Sequence, residues 1–341
     1  MRIKLLNINK ISLICIFIAL LTAISSCRFG KKSRLDVDVS ACEPRNLVLH
    51  RYDKALFSLD TADFGEGLKS LRDEFLPFLD ADLDNPDIVR FFRDFVTDTF
   101  VEHIYGKVAE RFDDDLRLND EIKSVYRHFN YYFPQEKIPG TYLYVSGLDL
   151  GSAPVMLMSE NVLISLDFYL GANDVVYDRI GLPRYVSMRF TPPYIRRDVA
   201  EALVNKVFTH NQAYKDLLTE VVNSGKKMYL IKAMCPDMPD SIVLRYKSSQ
   251  MDWISHNERD VWAAVVGNEM LYSNNGDVRR RFFADGPFTQ AFSDEAPARL
   301  GEFFGLQIVR SYMENNDVTL PELLSDEDNY AIFQKSKYKP R

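Results

Sequence analysis

Pro154-Val155-Met156-Leu157-Met158-Ser159-Glu160-Asn161-Val162-Leu163-Ile164-Ser165-Leu166 is the stretch that decides the fold. Two short apolar runs flank Ser159-Glu160-Asn161, a polar break of hairpin type. Thr141-Tyr142-Leu143-Tyr144-Val145, just upstream, reads as another strand. Three strands are therefore expected in the middle of the chain. On either side the apolar spacing changes to that of helices. The expected class is α+β and mostly helical, with a small antiparallel sheet.

Upstream of the strands, Leu68, Leu71, Phe75, Leu76 and Leu79 recur at helical spacing. So do Ile88, Phe91, Phe92, Phe95, Phe100 and Ile104 within 86–110, and Ile122, Val125, Tyr126 and Phe129 within 120–132. These stripes read as core rather than as a cofactor box. Leu47-Val48-Leu49 reads as a short strand leading into Arg51-Tyr52-Asp53, and Asp113-Asp114-Asp115 as a solvated loop. Downstream, 177–197 is rich in Tyr, Pro and Arg and is expected to be a loop. Asp198 and Glu201 have the spacing of an N-cap and its reciprocal acid, so a helix is expected from Val199 to Phe208. Further helices are expected over 213–233, 254–271, 301–313 and 320–335.

The N-terminus carries a different signal. Arg2, Lys4 and Lys10 precede a run from Ile11 to Ile24 that is almost wholly apolar. That run is too short to span a bilayer and reads as the core of a signal peptide. Ile24-Ser25-Ser26-Cys27 follows, and it resembles a bacterial lipobox, in which the Cys is acylated and becomes the mature N-terminus. The expected partition is a signal peptide over 1–26, acylated Cys27 and a tether over 27–46, and one globular domain over 47–341. Within that domain, 47–139 is the helical half and 140–341 holds the sheet and later helices. Arg28, where an inner-membrane lipoprotein typically has Asp, points to the outer membrane. The basic run 28–34 favours its periplasmic face.

Charge excludes one large class of function. The chain is 46% hydrophobic and 27% charged, with a formal net charge of −7. Without the first 26 residues, 39 basic residues stand against 49 acidic ones, or −10. An acidic body lacks the basic footprint that nucleic acid requires. Cys42 and Cys235 are the cysteines left after the signal peptide and Cys27; they are expected either to pair or to stay separate.

Strands, then a helix, then a second helix is an order that resembles zincin-type metallopeptidases. Those enzymes place His-Glu-x-x-His on the first helix, so that two imidazoles meet one zinc and the Glu activates its water. Here the first helix reads Ala200-Glu201-Ala202-Leu203-Val204. Ala200 and Val204 stand where imidazoles would be needed. Ser224 stands where the second helix would supply a carboxylate. His50, His103, His128, His210 and His256 have no spacing that puts two on one helix face. No metal, no cofactor and no catalytic residue is expected: the reading is a pseudoenzyme of metallopeptidase descent.

A longer resemblance runs along the whole mature chain. Arg51-Tyr52-Asp53, Tyr131-Tyr132-Phe133-Pro134 and Ser165-Leu166-Asp167-Phe168-Tyr169-Leu170-Gly171 are similar to segments of the GldB family, gliding-motility lipoproteins of Bacteroidetes. Gly225-Lys226-Lys227-Met228-Tyr229, the run from Trp253 to Trp262, Gln307 to Met313, and Ser336-Lys337-Tyr338-Lys339-Pro340 fit too. Ser224 departs from the Glu expected there. The resemblance implies a non-catalytic envelope lipoprotein tied to gliding and its secretion machinery. It would act as a scaffold or binding module, held to the membrane by its lipid and in contact with other envelope proteins. Two alternatives remain: a periplasmic peptide- or glycan-binding protein, with aromatics and Arg of 177–197 lining the groove, or a hydrolase with an unrecognised site.

Overall fold

The computed structural model describes residues 33–44, 47–208, 216–289 and 292–341. The signal peptide and Cys27 lie outside them, as do His210 and the start of the helix expected from 213. Two compact units separate at residue 38. In the first, residues 33–38 form a turn closed by the Asp36 N–H on the Ser33 carbonyl. The described helices and strands all belong to the second, which begins at Val39. Glu43 is paired there with Arg127.

Four strands form one sheet: β1 (Leu49–Arg51), β2 (Gly140–Tyr144), β3 (Val155–Met158) and β4 (Asn161–Ser165), in the order β1-β2-β4-β3. The sheet is mixed, not antiparallel as expected. β3 and β4 are antiparallel, but β2 runs parallel to both β1 and β4. The cause is local. Ser159 and Glu160 both adopt positive φ, which closes a tight hairpin and fixes the β3–β4 hand. The chain leaving β2 skips one position, so β3 takes the edge and β4 returns beside β2. The run Val162-Leu163-Ile164 then suits a strand with a neighbour on each side.

The helices are α1 (Tyr52–Phe57), α2 (Phe64–Leu71), α3 (Leu76–Leu79), α4 (Pro86–Thr97), α5 (Thr99–Arg111) and α6 (Asp115–Tyr132) before β2. After β4 come α7 (Val175–Arg179), α8 (Arg184–Ser187), α9 (Pro193–Val207), α10 (Leu217–Met234), α11 (Asp240–Val243) and α12 (Ser248–Gly267). The last four are α13 (Gly276–Phe283), α14 (Leu300–Asn315), α15 (Leu320–Ser325) and α16 (Asn329–Ser336). The class is α+β and mostly helical. The stripe over 86–110 is two helices, because the Asp98 carboxylate accepts from the N–H groups of Phe100 and Val101 and starts α5. Asp114, in the acidic triplet, caps α6 through the Arg117 N–H.

Two helices carry the core of the second half. α10 is buried almost all round, with Leu217, Leu218, Val222, Leu230, Ile231 and Met234 fully buried. Such a helix must be enclosed by others. Its main neighbour is α14, and the two meet at Gly225 and Gly305. A Cβ on Gly225 would stand 2.1 Å from the Gly305 carbonyl oxygen, so only glycine permits this approach. α9 packs on β3 and β4 with Ile195, Val199, Leu203 and Val204 buried.

Candidate functional site

The expected helix start at Asp198 is not the observed one. α9 begins at Pro193, whose fixed φ and missing N–H suit a first helical position. Asp198 and Glu201 therefore lie inside the helix, and no capping box forms. The stretch 177–197 is likewise not a plain loop: it holds α7 from Val175, α8 and the first turn of α9.

A cleft of about 460 Å³ opens on one face of α9. Ala153, Pro154 and Val155, at the start of β3, form one wall, with Leu150 beside them. Phe168, Leu182, Val186, Phe190 and Tyr194 form the other apolar surfaces. Asp198, Glu201, Asn205, Arg189 and Arg245 supply the polar floor. Size and lining match those of small-ligand sites. Arg189, Phe190 and Tyr194 come from the segment that sequence reasoning set aside for a groove.

The polar floor is one end of a longer array. Arg197, fully buried, bridges Asp198 at 3.0 Å and Glu201 on the next turn. Its Nε donates to the Val243 carbonyl at 3.3 Å. Arg245 stands 3.7 Å from Glu201 and donates to Glu302 at 2.7 Å. Glu302 meets Arg299 at 3.4 Å; Arg299 binds Asp285; Arg189 grips Asp285 through both Nη atoms at 2.9 and 2.7 Å. The charges alternate, Asp198–Arg197–Glu201–Arg245–Glu302–Arg299–Asp285–Arg189, and sum to zero. Alternation is what allows several ions to leave bulk water together, since each charge is repaid by neighbours of opposite sign.

Within this array the two carboxylates on α9 behave differently. Burial pushes Glu201 up, but the Arg197 and Arg245 guanidiniums outweigh it and hold its pKa at about 2. Asp198 is raised, chiefly by burial, with Arg197 opposing. Its second oxygen accepts from the Tyr169 hydroxyl at 2.7 Å. Tyr169 itself is raised well above the usual phenol range by burial and by Asp198. A carboxylate gripped by two guanidiniums is a poor general base.

Asp167 positions the wall opposite. Its buried carboxylate accepts from the Ser146 and Leu148 N–H groups and the Ser165 hydroxyl, the last at 2.6 Å. That clamp ties the turn at 146–148 to the end of β4 and so sets the course of the segment that reaches Pro154.

The structure separates the degenerate metal positions. Glu201 faces the cleft, whereas Ala200 and Val204 are fully buried in the core and do not line it. Ser224, half-buried on α10, does not line the cleft. Of the four described histidines, three bond elsewhere: His50 to Glu74, His128 to the Ser124 carbonyl, His256 to the Asp252 carbonyl; His103, on α5, does not line the cleft. Among the described residues, no group of three or more His, Cys, Asp or Glu is placed to hold a metal ion. Cys42 and Cys235 are not paired, and burial pushes the Cys235 thiol up to about 12. Sequence reasoning missed Tyr169, Arg245, Asp285, Arg299 and Glu302. Nothing local marks them, because each contributes through a partner far along the chain.

A family model described as the gliding motility protein GldB matches residues 32–340. The chain belongs to the GldB family. The segments that resemble this family are joints of the fold. Arg51 and Asp53 form an ion pair at 2.6 Å, and Arg51 also donates to the Phe112 carbonyl. Ser165, Asp167, Phe168 and Tyr169 build the site. Tyr338 donates to Glu258 at 2.6 Å and packs on Trp262, fastening the C-terminus to α12. No curated protein and no solved structure matches the chain. The family makes this a gliding-motility-related lipoprotein of the envelope, and no described helix is long and apolar enough to cross a membrane.

Proposed function

We propose that the protein is a non-catalytic lipoprotein of the outer membrane, anchored through acylated Cys27 on the periplasmic face. It serves the gliding and secretion machinery as a binding module, and the cleft on α9 is where it binds. The observation that carries this reading is the state of Glu201. The one acid left from the metallopeptidase pattern is committed to Arg197 and Arg245. It holds no proton near neutrality and faces no imidazole. The descent from a metallopeptidase, with Ala200, Val204 and Ser224 in place of ligands, belongs to the same proposal. Several acyl chains on Cys27 would bury enough methylenes for stable anchoring.

Crosslinking of intact envelopes followed by mass spectrometry tests this. Expected are crosslinks from residues around the cleft to other envelope proteins, and metal analysis of the purified protein without zinc. One zinc per chain together with turnover of peptide substrates would restore the hydrolase.

A further inference from the structure

The floor of the cleft can accept more than it donates. Asp198, Glu201, Ala202 and Asn205 line it from α9. Their spacing puts them on one face of the helix over successive turns. Among the charged side chains of the lining, the two carboxylates keep the most surface. Glu201 is 31% exposed and Asp198 22%, against 18% for Arg245 and 14% for Arg189. Arg197, which holds both acids, is fully buried, and so are the Nε atoms of Arg189 and Arg245. The cations therefore lie deeper than the acids. A carboxylate oxygen can accept twice. Asp198 accepts from Arg197 on one oxygen and from Tyr169 on the other, and Glu201 accepts from Arg197 on each. Arg245 stands 3.7 Å from Glu201, too far for a hydrogen bond. Acceptor capacity is left on both acids.

Charge narrows the choice of ligand. Within the lining, Asp198 and Glu201 are matched by Arg189 and Arg245. An ion of either sign would lose its water there and find no excess of opposite charge to repay the loss. The floor suits a group that donates hydrogen bonds without carrying charge. A hydroxyl does so, and it also accepts, which fits the exposed Asn205 amide at the end of the row. The walls are apolar, with Leu150, Pro154, Val155 and Val186 among them. A ligand with hydroxyls along one edge and C–H groups on its faces matches both surfaces, and a sugar ring is built that way. A peptide main chain matches less well. It brings one carbonyl acceptor with every N–H, and the row has few donors to meet them.

From this arrangement we infer that the cleft takes an uncharged saccharide, whose hydroxyls donate to Asp198 and Glu201 while its ring packs on the apolar walls. The inference rests on the binding-module reading and names its ligand. Asn205 closes the row and meets a further hydroxyl.

The test uses the full chain purified in detergent and an array of neutral, amino and acidic oligosaccharides, with the ligands found then measured by titration calorimetry. Neutral oligosaccharides are expected to bind, and their uronic-acid counterparts to bind about tenfold or more weakly, because an added carboxylate meets the exposed acids. Deoxy analogues should lose about tenfold at the one or two positions whose hydroxyl reaches Asp198 or Glu201. Asn205→Trp fills the open end of the row and should abolish binding. Its fold is retained because Asn205 is exposed, and an unchanged melting temperature checks this. Asn205→Ala, which only trims the amide, should weaken binding about threefold or more. An array on which no neutral saccharide binds overturns the inference. So does binding that Asn205→Trp leaves intact, and so do acidic sugars that bind best. Cadaverine bound more tightly than every neutral sugar would make the ligand an ammonium group and overturns it too. The binding-module reading is judged apart from these results, by the envelope crosslinks. Cleavage of a bound saccharide, read by mass spectrometry, would instead overturn the non-catalytic reading.

Discussion

The α10–α14 crossing and the floor of the cleft lie in the same half of the molecule and are built on opposite principles. At the crossing, two glycines let backbones touch and apolar side chains fill the rest. In the array that ends at the cleft, four arginines and four acids from distant segments neutralise one another. The first region is held by shape and tolerates no added atom. The second is held by charge balance, so losing a partner harms it and losing a balanced pair harms it less. The crossing also holds one ion, Lys226, which is buried and donates to the Asp326 carbonyl at 2.5 Å.

The largest effect is expected at the crossing. Gly225→Val places atoms where the Gly305 carbonyl already stands and should cost about 4 kcal/mol or more, or prevent folding. Denaturant unfolding of a residual folded fraction measures it. Stability close to wild type would mean that the helices can separate and that shape does not rule this region.

Arg197→Met comes next. It strands Asp198 and Glu201 without their shared cation and should cost roughly 3 kcal/mol. Adding Glu201→Gln to it should recover a substantial part, because the excess negative charge is then smaller. A double-mutant cycle with equal, additive losses would show that charge balance is not what holds the cleft.

The smallest effect has the opposite sign. Burial holds the Lys226 pKa at about 8, partly offset by Asp326 and Glu327. The folded state thus gives up this proton before the unfolded chain does. Stability carried by this group is lowest below pH 8 and rises toward pH 10.5. Lys226→Met removes that penalty and should be more stable near pH 7 by about 1–2 kcal/mol, with the gain fading at alkaline pH. Thermal melts of both proteins at pH 7 and pH 10 check it. A constant difference across that range would mean that Lys226 stays charged within the fold.

The legible parts of the fold were those whose cause is local. The stripe through Leu68, the turn at Ser159-Glu160 and the apolar run of β4 each carry their instruction within a few residues. The illegible parts were decided at a distance. Asp198 and Glu201 have the spacing of a cap, yet Pro193 starts the helix six residues earlier than expected and Arg197 claims both acids. Gly225 reads in the sequence only as part of a segment shared with the family; the structure uses it for a helix crossing. The strand order eluded a pattern of alternating residues, since side-chain alternation says which face is buried and not which strand lies next.

The sequence by itself therefore determined the class, the helical halves around a central hairpin, the acidic character and a motif at Cys27 that resembles a lipobox. Those follow from periodicity, charge and short motifs, which act over a few residues. Only the tertiary structure decided that the sheet is mixed, that Glu201 faces a cleft while Ala200 and Val204 face the core, and that Arg189 and Arg245 meet there while Arg299 continues the charge array behind them. Burial is a property of the packed chain, and a charge removed from water takes its partner from whichever segment the fold brings within reach.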